Sequence, residues 1–212
     1  MKVEIPSNME HKGLKLLYNQ VINKEFGKWE RWGLLNALSD FALYYTKGDI
    51  LEIGCGESSI HLSKLAEKYN RKCYHVEFSK SGVANMKNTF GYFGQNSQVF
   101  NMKSDEFFDS LRNADIGYPK LALAFIDGDH VYEQAKKDFW NTWKYVVKGG
   151  YIFLHDTYPP NDSWKVPEKC GTVYKLREEL ESESVEIFTF KNSAFNVGLS
   201  MIQKGESYGS EK

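Results

Sequence analysis

The chain has 212 residues, enough for one domain with a substantial core and short additions. Hydrophobic residues make up 42% and charged residues 26%, as in ordinary soluble globular proteins. Lys and Arg number 27 against 28 Asp and Glu, for a formal net charge of −1, and the basic residues are dispersed. That balance argues against a nucleic-acid partner. Cys55, Cys73 and Cys170 form no Cys-x-x-Cys pair, and their odd number argues against a disulfide framework. The opening MKVEIPSNMEHKG lacks the apolar core of a signal peptide, and no apolar run approaches a membrane span. A cytoplasmic protein with no membrane partner is the expectation.

Residues 1–46 read as a helical extension. Leu34, Leu35, Leu38, Phe41, Ala42 and Tyr45 recur at helical spacing, just downstream of Trp29 and Trp32. Lys47–Gly48 ends that pattern, and residues 47–203 read as the main domain. Strands are predicted at Asp49–Ile53, Lys72–Phe78, Ser97–Lys103, Leu121–Ile126 and Tyr151–Leu154. Helices are predicted at Ser58–Asn70, Lys80–Phe90, Ser104–Ala114 and Val131–Val147, the last stopped by Lys148–Gly149–Gly150. The unbroken apolar run Leu121–Ile126 suits a central strand buried on both faces. Val185–Phe190 and Asn196–Gln203 are separated only by Lys191–Phe195, too little chain for a helical crossover, so they predict an antiparallel hairpin. Residues 204–212 form a polar tail, expected to be flexible. The sum is an α/β fold: a doubly wound, Rossmann-like, seven-stranded sheet, mostly parallel, with a C-terminal antiparallel hairpin and N-terminal helices.

One strand-to-helix junction carries the glycine-rich stretch Leu51–Glu52–Ile53–Gly54–Cys55–Gly56–Glu57–Ser58–Ser59. Glycines there let the backbone turn tightly and approach a ligand. The helix start offers free N–H groups to a carboxylate or phosphate. Glu77 closes the next strand, where an acid can accept hydrogen bonds from both hydroxyls of a ribose. A turn without a ligand is the plain alternative, and a dinucleotide-binding dehydrogenase the sharper one. The dehydrogenase pattern wants glycine where Ser59 stands. Glu52 would also repel a pyrophosphate, whereas it would tolerate a cationic sulfonium and ammonium.

With these residues the chain resembles the class I S-adenosylmethionine-dependent methyltransferases over roughly Asp49 to Gln203. Glu52-x-Gly54-x-Gly56 looks like their first motif, and the terminal antiparallel hairpin is similar to theirs. The resemblance implies that S-adenosylmethionine is held by Glu52, Gly54, Cys55, Gly56, Ser58, Ser59, Glu77, Phe78, Ser104 and Asp105, the last near the adenine. Asp105 is also well placed simply to cap a helix.

Two central strands end in polar clusters, Asp127–Gly128–Asp129–His130 and His155–Asp156–Thr157. In a doubly wound sheet ligands bind beyond the carboxyl ends of the strands, and so many ionisable groups there would be costly without a purpose. Hard cations such as Mg²⁺ prefer oxygen ligands. Asp127 and Asp156 could supply them, with Asp129 or His130 accepting a proton. Together with Asp138–Phe139 and Gly149–Gly150–Tyr151–Ile152–Phe153–Leu154, these stretches resemble metal-dependent O-methyltransferases acting on sugars of macrolide and aminocoumarin natural products. The resemblance implies a metal at Asp127 and Asp156, a base at Asp129 or His130, and His155 in place of a further carboxylate ligand. Three plainer readings stand beside it: Asp127 contacting the cofactor ammonium, His130 as a helix-start residue, and His155 as a structural side chain. His61 and His75 read as structural, and His11 as a surface residue.

Thr157–Cys170 is long for a connection in a compact domain and contains Tyr158 and Trp164, which could stack on an acceptor. A surface connection is the alternative. The N-terminal helices would pack on the domain, cover the cleft, or join a homo-oligomer. The expected activity is methylation of a hydroxyl on a small-molecule acceptor, a sugar among the candidates, with Mg²⁺. The rivals are a metal-independent methyltransferase, a non-catalytic S-adenosylmethionine-binding protein, and a nucleic-acid methyltransferase.

Overall fold

In the computed structural model, residues 32–90, 94–113, 118–183, 185–191 and 196–205 are described. The sequence expectations for residues 1–31, including Trp29, and for the tail at 206–212 lie outside them, as do those for residue 114 and for 192–195. Helix α1 (Gly33–Tyr45) precedes β1 (Asp49–Ile53), α2 (Ser58–Tyr69), β2 (Cys73–Val76), α3 (Lys80–Phe90) and β3 (Ser97–Phe100). Then come α4 (Ser104–Arg112), β4 (Leu121–Ile126), α5 (Tyr132–Trp143) and β5 (Val146–His155). A short 3₁₀ turn (Asp162–Trp164), α6 (Val173–Ser182), β6 (Ile187–Phe190) and β7 (Leu199–Gln203) complete the order.

The strands form one seven-stranded sheet in the order β3-β2-β1-β4-β5-β7-β6. The first five strands pair in parallel. β7 runs antiparallel both to β5 and to β6. The order reverses between β1 and β4, which is where a doubly wound sheet opens a crevice for a ligand.

Side chains alternate across each strand, so β4 feeds two cores. Ala124 and Ile126 join the layer with Phe107, Phe108, Phe139 and Leu176, which α4, α5 and α6 supply. Leu123 and Phe125 face the other layer, with Leu35 and Leu38 of α1 and Leu62 of α2. Fully burying each such side chain stabilises the fold by about 1.5–3 kcal/mol. Apolar side chains dominate both cores, which fix the strand ends that carry the polar groups.

Two departures from the sequence expectation have physical causes. β5 begins at Val146, inside what the pattern read as the end of the α5 helix, and α5 stops at Trp143. Lys148–Gly150 forms a bulge: Leu121 pairs with Val146, but Leu123 pairs with Tyr151. Gly149, at φ 78°, makes that bulge possible. Helix α6 follows the long connection and was not read in advance. It buries Val173, Leu176 and Leu180 on one face.

Gly54 follows β1 with φ 83°, and a Cβ there would collide with the Asp127 carbonyl. Asp127 N–H donates to the Ile53 carbonyl at 2.8 Å, so the ends of β1 and β4 touch backbone to backbone. Gly54→Ala is therefore expected to lower stability by more than about 2 kcal/mol, combining steric overlap with a positive φ. A thermal melt alongside Gly56→Ala, where a Cβ meets open space, checks this: Gly56→Ala should melt close to the wild type.

Candidate active site

The glycine turn is braced from below and from the side. Glu52 is fully buried; it accepts from the Ser58 hydroxyl at 2.6 Å and faces His75 Nδ1 at 2.5 Å. Its carboxylate is thus engaged inside the protein. Ser59 Oγ accepts from Gly56 N–H at 3.1 Å. Glu77 accepts from Cys55 N–H at 3.0 Å and from Ser79 N–H at 2.7 Å. A carboxylate has room for further donors beyond these two. Asn101, which the sequence reading passed over, donates to the carbonyls of Glu77 and Phe78 at 2.8 and 3.1 Å and fixes that loop. The Phe78 ring beside it is 69% exposed, an open apolar face at the mouth of the turn. Asp105 pairs with Lys137 at 2.7 Å through one oxygen, and its other oxygen is buried without a hydrogen-bond partner among the described residues. An acceptor left this way favours a ligand that brings a donor.

At the ends of β4 and β5 the structure gathers Asp127, His130 and Asp156, whose ligating atoms all lie within 4.8 Å of one another. Asp156 sits at φ 59°, unusual for a residue other than glycine. His130 Nε2 is 3.1 Å from Asp156 and 4.0 Å from Asp127. Its Nδ1 faces the Pro167 carbonyl at 3.2 Å. A carbonyl only accepts, so Nδ1 carries the hydrogen and Nε2 is the nitrogen turned to the carboxylates.

The sequence reading had grouped His155 with the two aspartates. In the structure His155 lies behind them, with Nδ1 3.0 Å from Asp127 and 3.5 Å from Asp156, and its ring against Trp32 at 5.0 Å. Burial opposes charging this ring, but Asp127 and Asp156 outweigh it and push its pKa from 6.5 up to about 10. As placed, it donates to Asp127. Asp129 is exposed and accepts from Val131 N–H at 3.1 Å, just before the start of α5.

The oxygen and nitrogen donors of Asp127, His130 and Asp156 fit a divalent cation. A second group, Glu52, Cys55 and His75, is equally close. There, however, the 2.5 Å hydrogen bond between Glu52 and His75 would have to open before both could bind one ion.

Residues 51–157 match the family model described as "Methyltransferase domain". The chain belongs to this methyltransferase-domain family. A curated relative, the uncharacterized protein R132 of Acanthamoeba polyphaga mimivirus, is 32% identical over 112 residues, covering 50% of this chain and 47% of that protein. The chain thus spans about half the length of the curated relative it matches. Among solved structures, an O-methyltransferase from Bacillus cereus in complex with SAH superposes with a TM-score of 0.63 at 15% identity, covering 91% of this chain and 89% of that one. SAH-bound methyltransferase PaMTH1 of Podospora anserina gives 0.62 at 16% identity, covering 97% and 100%. O-methyltransferase TomG from Streptomyces achromogenes, in complex with SAM, gives 0.57 at 15%, covering 93% and 91%. These likenesses establish a shared fold.

In this methyltransferase domain the connection after β5 is tied to the acidic cluster. Thr172 N–H donates to the His130 carbonyl at 2.8 Å, and Thr172 Oγ1 accepts from Tyr132 N–H at 2.8 Å. Gly171, at φ 55°, lies so close to His130 that a Cβ would strike its carbonyl. The rings of Tyr158 and Trp164, read as stacking surfaces, are each met by a cation: Lys191 lies 4.5 Å from the first and Lys169 4.8 Å from the second. Among the described residues, no helix is long and apolar enough to cross a membrane.

Asp138 of α5 is 1% exposed beside Ser104 and accepts from Gln134 at 3.0 Å. Burial raises its pKa from 3.8 to about 6; the Ser104 and Gln134 hydrogen bonds pull the other way. A folded-state pKa above the unfolded one means the carboxylate costs stability at neutral pH, and the cost disappears as pH falls below the unfolded value. The linkage amounts to at most about 3 kcal/mol. Asp138→Asn should therefore melt higher than the wild type at pH 8, with the gap closing towards pH 4. Equal melting temperatures at both pH values would show that the charge is not strained.

Proposed function

We propose that this chain uses S-adenosylmethionine to methylate a hydroxyl group of a small molecule, with a divalent cation held by Asp127, His130 and Asp156. The carrying observation is the convergence of those three side chains beyond β4 and β5, one backbone contact away from the glycine turn. The O-methyltransferases that share this fold, in complex with SAM or SAH, support this reading.

The turn at Gly54–Ser59 would cradle the methionine end of the donor, where Gly56 leaves open space. Glu77 would accept from the ribose hydroxyls, and Phe78 would flank the adenine. The unpartnered oxygen of Asp105 would accept from the adenine amine. When bound, the sulfonium offers an electrophilic methyl group. A cation at the acidic cluster would lower the pKa of an acceptor hydroxyl and orient it.

The protein's own residues supply placement. Asp127 and Asp156 supply the two carboxylates of the cluster. His155 donates to Asp127 and fixes the orientation of its carboxylate. Pro167 selects the His130 tautomer whose Nε2 faces the aspartates. Asp129, exposed at the rim, is the group free to take the acceptor's proton. A sugar or another polyol fits a site made of carboxylates and imidazoles, and a free small molecule suits the balanced surface charge. Operation inside the cytoplasm remains part of this reading.

Two measurements test it. Calorimetric titration with S-adenosylhomocysteine should show binding that Glu77→Ala weakens at least about tenfold through loss of hydrogen bonds to a charged group. Methyl transfer to a panel of hydroxylated acceptors should fall on the order of 100-fold when a chelator is added or when Asp156→Asn is introduced. Turnover indifferent to the chelator would remove the cation and leave His130 as the base.

A further inference from the structure

Glu52 and His75 stand directly opposite each other on the adjacent strands β1 and β2, in the middle of the sheet. Both side chains are 0% exposed. A carboxylate and an imidazole at such positions are costly, and two apolar residues of similar size would serve stability as well or better. The pair is also not isolated. Glu52 accepts from Ser58, the first residue of α2, at 2.6 Å. His75 Nδ1 faces the other Glu52 oxygen, which only accepts, so Nδ1 donates. The far nitrogen, Nε2, meets Ser63 at 3.1 Å and Ser97 at 3.3 Å, and Ser97 donates to Ser63 at 2.9 Å.

The chain of contacts runs from the glycine turn through β1 and β2 to β3. Burial works against charging the imidazole, but the Cys73, Cys55 and Glu52 side chains more than offset this and hold its pKa well above 6.5. Every polar atom of the relay is matched inside the protein, and that is the condition under which a buried network rigidifies what it touches.

We propose that His75 is a positioning residue for the methyl-donor site: by donating to Glu52 it fixes the carboxylate that holds Ser58, and so sets the conformation of the glycine turn. Its consequence for donor binding rests on the reading of that turn as the donor's cradle. The mechanical coupling between His75 and the turn does not.

The test uses the full chain carrying His75→Leu, His75→Asn or Ser58→Ala, with two readouts. Amide hydrogen exchange in the free protein reports the turn, and calorimetry with S-adenosylhomocysteine reports binding. In His75→Leu, amides of residues 54–59 should exchange at least about tenfold faster, while those of β4 at 121–126 keep their protection. The dissociation constant for S-adenosylhomocysteine should rise about tenfold. His75→Asn, whose amide N–H can replace Nδ1–H, should recover part of both. Ser58→Ala, which cuts the relay at its other end without disturbing the strands, should loosen the same amides.

Unchanged exchange at 54–59 in folded His75→Leu overturns the proposal. So does equal acceleration in β4, which would make His75 a structural residue only. If His75→Leu does not fold, Ser58→Ala decides, and wild-type protection in that variant overturns the proposal. If the wild type does not bind S-adenosylhomocysteine, the donor reading falls and the exchange data still settle the role of His75.

Discussion

The space that a side chain on residue 54 would need is filled by the carbonyl of Asp127. Around that contact the site is organised. It occurs where the sheet order reverses between β1 and β4, so two chain segments separated by more than a third of the sequence meet as bare backbone. The glycine turn that follows β1 and the acidic run that follows β4 are therefore held at one fixed offset. A transfer between a donor at one segment and an acceptor at the other depends on such an offset.

Two buried acids support the two halves in different ways. Glu52 lies under the turn and is matched by His75 and Ser58. Asp138 lies behind Ser104 and Asp105, with Ser104 and Gln134 as its donors and, among the described residues, no ion pair to a cation. The first is a closed network and rigidifies. The second keeps an energetic strain that burial imposes on an unpaired carboxylate. Strain of this kind persists in proteins where the supported element matters more than the local energy, and the element it backs is the first turn of α4 at Ser104–Asp105.

The sequence pattern was most legible where burial was most complete. Leu121–Ile126 reads as a central strand because both faces are apolar, and its bounds agree with the structure. Val146–Val147 was unreadable as strand because Lys148–Gly149–Gly150 looks like a helix stop and is in fact a bulge inside β5. Helix α6 carried a legible signal, Val173, Leu176 and Leu180 at helical spacing, that was passed over in favour of the long connection before it. The polar strand ends single out Asp127, His130 and Asp156, because ionisable groups are costly at the ends of apolar strands. Which nitrogen of His130 turns towards the aspartates was not legible. It depends on Pro167, 37 residues along the chain from His130. His75 looked like any core histidine, because its partner at Glu52 is a cross-strand neighbour, and register between parallel strands is not written in either strand alone.

The connection after β5 is best understood through its far end. Its beginning leaves the sheet at Asp156, and its end returns to His130 through Gly171 and Thr172. Between those points Pro167 holds the imidazole by a hydrogen bond. Three contacts from one segment thus converge on one residue of the acidic cluster. Any displacement of residues 167–172 must either carry His130 along or break those contacts, at about 1 kcal/mol for each hydrogen bond. Under the proposed function, an acceptor that presses on this segment would act on the geometry of the cluster as well as on its own binding surface. Recognition of the acceptor and arrangement of the reacting groups would in this way be mechanically one event.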